Sequence, residues 1–144
     1  MSNKEARRLV LRNELAELER LAPWIESWAE HGVSSDVSLA VQLCVEEVVA
    51  NVIMYGAPKG SSLEISVELE RVCGMLVARI EDDGREFDPT QAPPPVMASS
   101  LQEVKPGNFG IHLVRGFANG MDYERRDGRN QLSLRFIEPQ VTSH

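Results

Sequence analysis

The segment EVVANVIMYG, residues 47–56, decides how the rest of the chain is read. It closes an apolar run in which Ser34 or Ser35 is placed to cap a helix. Asp36 stands in the first turn, where the helix dipole favours an anion, and Gly56 and Pro58 are placed to stop the helix after Tyr55. Val41, Val45, Val48 and Val52 form one stripe at helical spacing, and Leu39, Leu43, Ala50 and Ile53 form another, which predicts a helix packed on more than one side. Glu47 and Asn51 lie one turn apart on the same face, beside Cys44 and Ala40. Two readings are open. Glu46 and Glu47 reach solvent at the helix edge while Asn51 bonds locally, or the pair borders a cavity. In the second case Asn51 offers a neutral oxygen to a hard cation such as Mg2+, and Glu47 takes a proton from a hydroxyl.

Toward the N-terminus, residues 8–12 (RLVLR) predict a short strand. Asn13 is a candidate N-cap for a helix with Leu15, Leu18, Leu21, Ala22, Ile25, Trp28 and Ala29 on one face, kinked or restarted at Pro23 and ended by His31-Gly32. Toward the C-terminus the period changes. Leu63, Ile65, Val67 and Leu69 alternate with Glu64, Ser66, Glu68 and Glu70, the pattern of a strand with one wet face, and Leu76, Ala78 and Ile80 continue it after a turn at Cys73-Gly74. Residues 82–105 show no period and contain Pro89 and Pro93-Pro94-Pro95, so a lid or binding loop is expected over about residues 83–106. A helix of about a dozen residues is expected to start near Gly110. A hairpin then joins residues 121–126 to 130–136 through Asp127-Gly128. This order predicts an α+β fold, a two-layer α/β sandwich with helices on one face of a mixed, mostly antiparallel sheet. A chain of 144 residues is expected to form one domain over residues 1–144.

Composition narrows the functions. A net charge of −7 and a pI near 5.0 lack the basic footprint that non-specific nucleic-acid binding requires. The two cysteines, Cys44 and Cys73, have no metal-binding spacing and read as free thiols of a reducing compartment, so the cytoplasm is expected. No leader-like segment follows MSNKEARR, and no apolar run is expected to approach the roughly 18 residues that cross a bilayer, so no membrane role is expected.

Two further motifs join the Glu47/Asn51 pair. Asp82-Asp83-Gly84-Arg85-Glu86-Phe87-Asp88-Pro89 follows a strand, where a carboxylate can accept the exocyclic amine of a base and glycine lets a flat ring approach; an ordinary acidic turn has the same composition. Gly107-Asn108-Phe109-Gly110-Ile111 opens a helix whose first amides suit phosphate, and a plain loop hinge fits it as well. Taken in order, the three supply the parts that a Mg-ATP site requires.

With those motifs in place the chain resembles the small anti-sigma-factor serine kinases of the Bergerat-fold (GHKL) ATPases. EEVVANVIMYG resembles their N box, EDDGREFDPTQAPPP their G1 box and lid, and GNFGIHLVRGFANGMDYERRDGRNQLSLRF their G2 box and terminal hairpin. The resemblance implies Glu47 as the catalytic glutamate and Asn51 as the Mg2+ ligand. It implies Asp82 as the acceptor of the adenine amine, with Gly84 and Phe87 on the same side of the nucleotide. Gly107, Asn108, Phe109, Gly110 and Ile111 are implied around the phosphates, and Ser133 as a hydroxyl reaching adenine through water. Three positions depart from the pattern: Glu86 stands where Pro or Gly is frequent, Asn108 where a second Gly is usual, and Asn119 where an Asp commonly follows the G2 helix. ATP and Mg2+ are the implied cofactors, and the implied activity is phosphorylation of a serine on a STAS-domain anti-sigma-factor antagonist. Sequestration of a sigma factor, partner switching in bacterial transcription and a homodimer complete the expectation. A non-catalytic protein-interaction switch of the same fold, with nucleotide structural or weakly bound, is the alternative. The catalytic domain of a histidine kinase is disfavoured, because His31, His112 and His144 are scattered and no dimerisation helices are visible.

Overall fold

The structure, a computed structural model, describes residues 6–28, 32–56, 63–91 and 110–138. The alternating segments become strands β2 (Glu64–Val72) and β3 (Met75–Asp82), and the terminal hairpin becomes β4 (Gly120–Arg126) and β5 (Arg129–Ile137). With β1 (Ala6–Arg12) they form a five-stranded sheet in the order β1-β2-β3-β5-β4. Every pairing among the described residues is antiparallel, so the sheet has none of the parallel component that a mixed sheet would bring. Both tight turns place their two central residues at positive φ, Cys73 at 48° with Gly74 at 79° and Asp127 at 53° with Gly128 at 76°, which suits the twist of two-residue hairpins.

Helix α2 (Ser35–Tyr55) begins as its sequence dictates: the Ser34 hydroxyl accepts from the Val37 amide at 3.2 Å, satisfying one of the first-turn donors. Its Val41, Val45, Val48 and Val49 are buried with Ile65, Val67, Leu69, Leu76, Ala78, Ile80, Leu132, Leu134 and Phe136 of the inner sheet face. The second stripe behaves differently. Leu39 and Leu43 are exposed, Ile53 is half-buried and Ala50 is buried, so that side of the helix is only partly covered. By length and mean hydropathy (1.7) α2 could cross a membrane, contrary to the expectation that no apolar run is long enough; half of that window lies inside the fold.

The first amphipathic stripe does not form one helix. A 3-10 turn, Leu15–Arg20, is followed by α1 (Leu21–Glu26), and Glu14 rather than Asn13 holds the N-cap position, with no side-chain cap bond. Pro23 explains the restart: as the third residue of α1 it lies among the amides that have no intrahelical partner, so its missing N–H costs nothing there. Ala29 and His31 lie outside the described residues. Around this turn, Glu17 accepts the Arg12 amide at 3.0 Å and Arg20 donates to the Val10 carbonyl at 3.2 Å, so it occupies part of the free edge of β1. Helix α3 (Gly110–Phe117) is 8 residues long, shorter than the expected dozen, because Ala118 and Asn119 turn directly into β4. The outer sheet face is polar and self-neutralising, with Arg79 bridging Glu68 and Glu70 at 3.2 and 2.7 Å and Arg135 meeting Asp122 at 2.8 Å.

Candidate nucleotide site

Between the C-terminal half of α2 and the end of the sheet lies a cavity of about 250 Å3. Val48, Asn51, Val52, Tyr55 and Gly56 of the α2 end form one wall, and Ile80, Asp82, Asn130 and Leu132 form the sheet side. Arg85, Phe87 and Pro89 from the segment after β3, with Tyr123 of β4, complete the rim. The lining is apolar apart from a few polar groups, the usual make-up of a site for a flat organic ring.

Asp82 is the last residue of β3 and is buried, at 5% exposure. Its Oδ1 accepts from the Gly84 amide at 2.9 Å and from Asn130 Nδ2 at 3.0 Å. Both bonds fall on one oxygen, which leaves Oδ2 as the acceptor for a ligand. Burial pushes the Asp82 carboxyl above its usual range, although both hydrogen bonds favour the ionised form. Gly84 is required by contact: a Cβ there would sit 2.5 Å from the Gly56 carbonyl oxygen. That same carbonyl accepts the Arg85 amide at 2.8 Å, so the end of α2 and the turn after β3 are fastened backbone to backbone. Arg125 adds a bond of 2.8 Å to the Gly84 carbonyl.

Asn51, at 8% exposure, lines the cavity, and its buried Nδ2 has no hydrogen-bond partner among the described residues. A buried amide without a partner carries a desolvation cost, so this group suits a bound ligand. Glu47 lies one turn earlier, half-buried and outside the cavity lining. Its carboxylate is felt by its neighbours. Cys44, fully buried, is pushed up to about 12, by burial first and by Glu47 second, and Glu46 is raised by the same two causes.

The structure therefore gathers Asn51, Asp82 and Phe87 around one cavity, with Gly84 directly beneath. Gly110 opens α3 and Ile111 follows within it, while Gly107, Asn108 and Phe109 lie outside the described residues. Ser133 is not at the cavity. It pairs with Arg79 and Asp122 on the outer face of the sheet, because the two-residue period of β5 sends Asn130, Leu132 and Leu134 inward and Ser133 outward. The polar side chain that β5 does contribute is Asn130, which the motif reading passed over. Its signal was present in the sequence: it is the polar member of an otherwise apolar inward series, Asn130, Leu132, Leu134, Phe136. Asn119, in place of the frequent Asp, accepts the Ile137 amide at 2.8 Å and serves the sheet.

A helical layer on one face of an antiparallel sheet, with a cavity between the long helix and the sheet end, is the architecture of the GHKL-type ATPase domains. Residues 11–136 match the histidine kinase-like ATPase domain family, and the chain belongs to that family. A serine/threonine-protein kinase, BtrW of Bordetella bronchiseptica, is 33% identical over 112 residues, which cover 74% of this chain and 79% of BtrW. Two solved structures share the fold. The RsbU and RsbW domains of a Mycobacterium tuberculosis protein superpose with a TM-score of 0.64 at 12% identity, covering 93% of this chain and 32% of theirs. The histidine kinase domain of a blue-light activated kinase from Erythrobacter litoralis does so with a TM-score of 0.54 at 18% identity, covering 86% and 60%. This chain thus spans less than two thirds of either structure. The resemblance to the anti-sigma-factor serine kinases read from the motifs is borne out by these relatives.

Proposed function

We propose that the protein binds ATP and transfers its γ-phosphoryl group to a serine of a STAS-type partner. The observation that carries this is the pairing of Asp82 and Asn51 across one cavity, a buried carboxylate with an acceptor oxygen left over and a buried amide without a partner. Asp82 Oδ2 accepts the exocyclic amine of adenine while Phe87 and the apolar lining flank the ring. Asn51 would hold Mg2+ through its amide oxygen, leaving its unpartnered Nδ2 free to donate to an oxygen of the nucleotide. The donor set fits such an ion only in company with phosphate, since no cluster of three acidic, His or Cys side chains that could hold a metal exists among the described residues. Mg2+, when bound, neutralises charge developing on the transferred group. Glu47 receives the proton of the attacking serine as its Oγ–P bond forms and the bond from the γ-phosphorus to the leaving ADP oxygen breaks. The kinase name of BtrW supports this reaction class, and the resemblance supports a bacterial partner-switching role with a sigma factor as second partner and the cytoplasm as location.

Incubation with labelled ATP, Mg2+ and a purified STAS-domain protein is the test. Labelled serine is expected with the wild type and a loss of about a hundredfold or more with Glu47→Ala. Unchanged labelling in the variant removes Glu47 from the role of base. Tight ATP binding with no labelling of any STAS partner would instead establish a non-catalytic switch.

A further inference from the structure

Asn130 uses the whole hydrogen-bonding capacity of its amide. Nδ2 donates to Asp82 Oδ1 at 3.0 Å and to the Arg85 carbonyl at 2.7 Å, while Oδ1 accepts from the Phe87 amide at 3.3 Å and the Tyr123 hydroxyl at 2.5 Å. These partners fix its orientation, because a flipped amide would set Nδ2 against the Phe87 N–H and Oδ1 against the Asp82 carboxylate. With every site taken, Asn130 has nothing left to offer a ligand directly and acts through the groups it holds.

Those groups are the ones that face the cavity. The Gly84 amide alone holds Asp82 Oδ1 by a single bond from the neighbouring turn. The second bond, from β5, stops the carboxylate from rotating and presents Oδ2 to the cavity in one direction. The other two contacts fasten the Arg85–Phe87 backbone, which carries the ring-flanking Phe87, and tie all of it to Tyr123 on β4. We infer that Asn130 is the positioning residue that sets the orientation of the Asp82 carboxylate, and through it the preference of this cavity for a purine bearing an exocyclic amine. The inference rests on the reading of Asp82 as the base acceptor, and it assigns to the Asn130–Tyr123 pair a role in base selectivity exerted through the Asp82 carboxylate.

The test is calorimetric titration of the full chain with ATP and with purine riboside triphosphate, which lacks the amine. The wild type is expected to prefer ATP by about tenfold, the worth of one hydrogen bond to a charged acceptor. Asn130→Leu is expected to bring the ratio of the two affinities close to one, and Tyr123→Phe to lower it by about threefold, on the order of one weak neutral hydrogen bond. The ratio separates this role from a structural one, because general damage to the site weakens both nucleotides alike. A ratio that stays at the wild-type value in folded Asn130→Leu overturns the positioning role and leaves the base reading intact. A wild type that does not distinguish the two nucleotides overturns the base reading itself. Should Asn130→Leu fail to fold, the ratio in Tyr123→Phe decides, and an unchanged ratio there overturns the inference.

Discussion

Asp82 is buried at the end of β3, and burial holds its carboxyl above the ordinary range. A carboxyl whose native pKa is raised by burial binds its proton more tightly in the folded than in the unfolded chain, so stability falls as pH rises from the ordinary value of 3.8 to the raised native value. Above that window the loss is complete and constant. Asp82→Asn keeps an oxygen for Gly84 and for Asn130 and removes the buried charge. Its melting temperature is therefore expected to exceed that of the wild type at neutral pH, with the gain shrinking to nothing below pH 3.8, while ATP binding is lost. Thermal melts across pH, beside calorimetry, check both halves; a variant less stable than the wild type at pH 7 would refute the assignment of a net burial cost. Gly84 shows how far such residue-level detail was legible. The sequence offered it as a place for a ring to approach, whereas its strictest neighbour is the Gly56 carbonyl, a contact between segments that local pattern does not report.

At the scale of elements, legibility followed the period of the pattern. Helix α2 and the two hairpins could be placed because cap, stripe and turn residues agreed with one another: Ser34 at the start, valines along one face, Cys73-Gly74 and Asp127-Gly128 between alternating runs. The split between the 3-10 turn and α1 was harder, since the apolar spacing continues across Pro23 and only the side-chain bonds of Glu17 and Arg20 to the β1 backbone show why the chain stays tight before it. Ser133 was implied by the resemblance alone; strand alternation, legible in the sequence, sends it to the outer face and turns Asn130 inward. The cap of α2 gives a direct check. Ser34→Ala removes the bond to the Val37 amide and is expected to cost about 1 kcal/mol, a fall in melting temperature of about 2–4 °C for a chain of this size, with Ser34→Asp restoring most of it.

For the molecule as a whole, the two thiols report on its integrity. Cys73 stands exposed in a hairpin turn, and Cys44 is enclosed by the core with its thiol pushed up to about 12, so almost none of it is thiolate at neutral pH. A native sample is expected to react with one equivalent of a thiol reagent at Cys73, and with a second only at the rate of global unfolding. Peptide mapping of the alkylated protein checks which residue reacts; prompt labelling of Cys44 would contradict the packing of α2 against the sheet. Packing against the sheet accounts for the apolar residues on the buried half of that helix.

The hydrogen bond between Asp82 and Asn130 spans 48 residues. During synthesis the chain is threaded out from its N-terminus, and Asp82 emerges well before Asn130, its partner on β5. A nascent chain ending at residue 91 lacks Tyr123, Asn130 and Leu132 of the lining and has no β5 to close the cavity. A nucleotide bound as proposed, between α2 and the closed sheet, is therefore expected to bind only after β5 has paired and then to hold the newly made C-terminal hairpin in place.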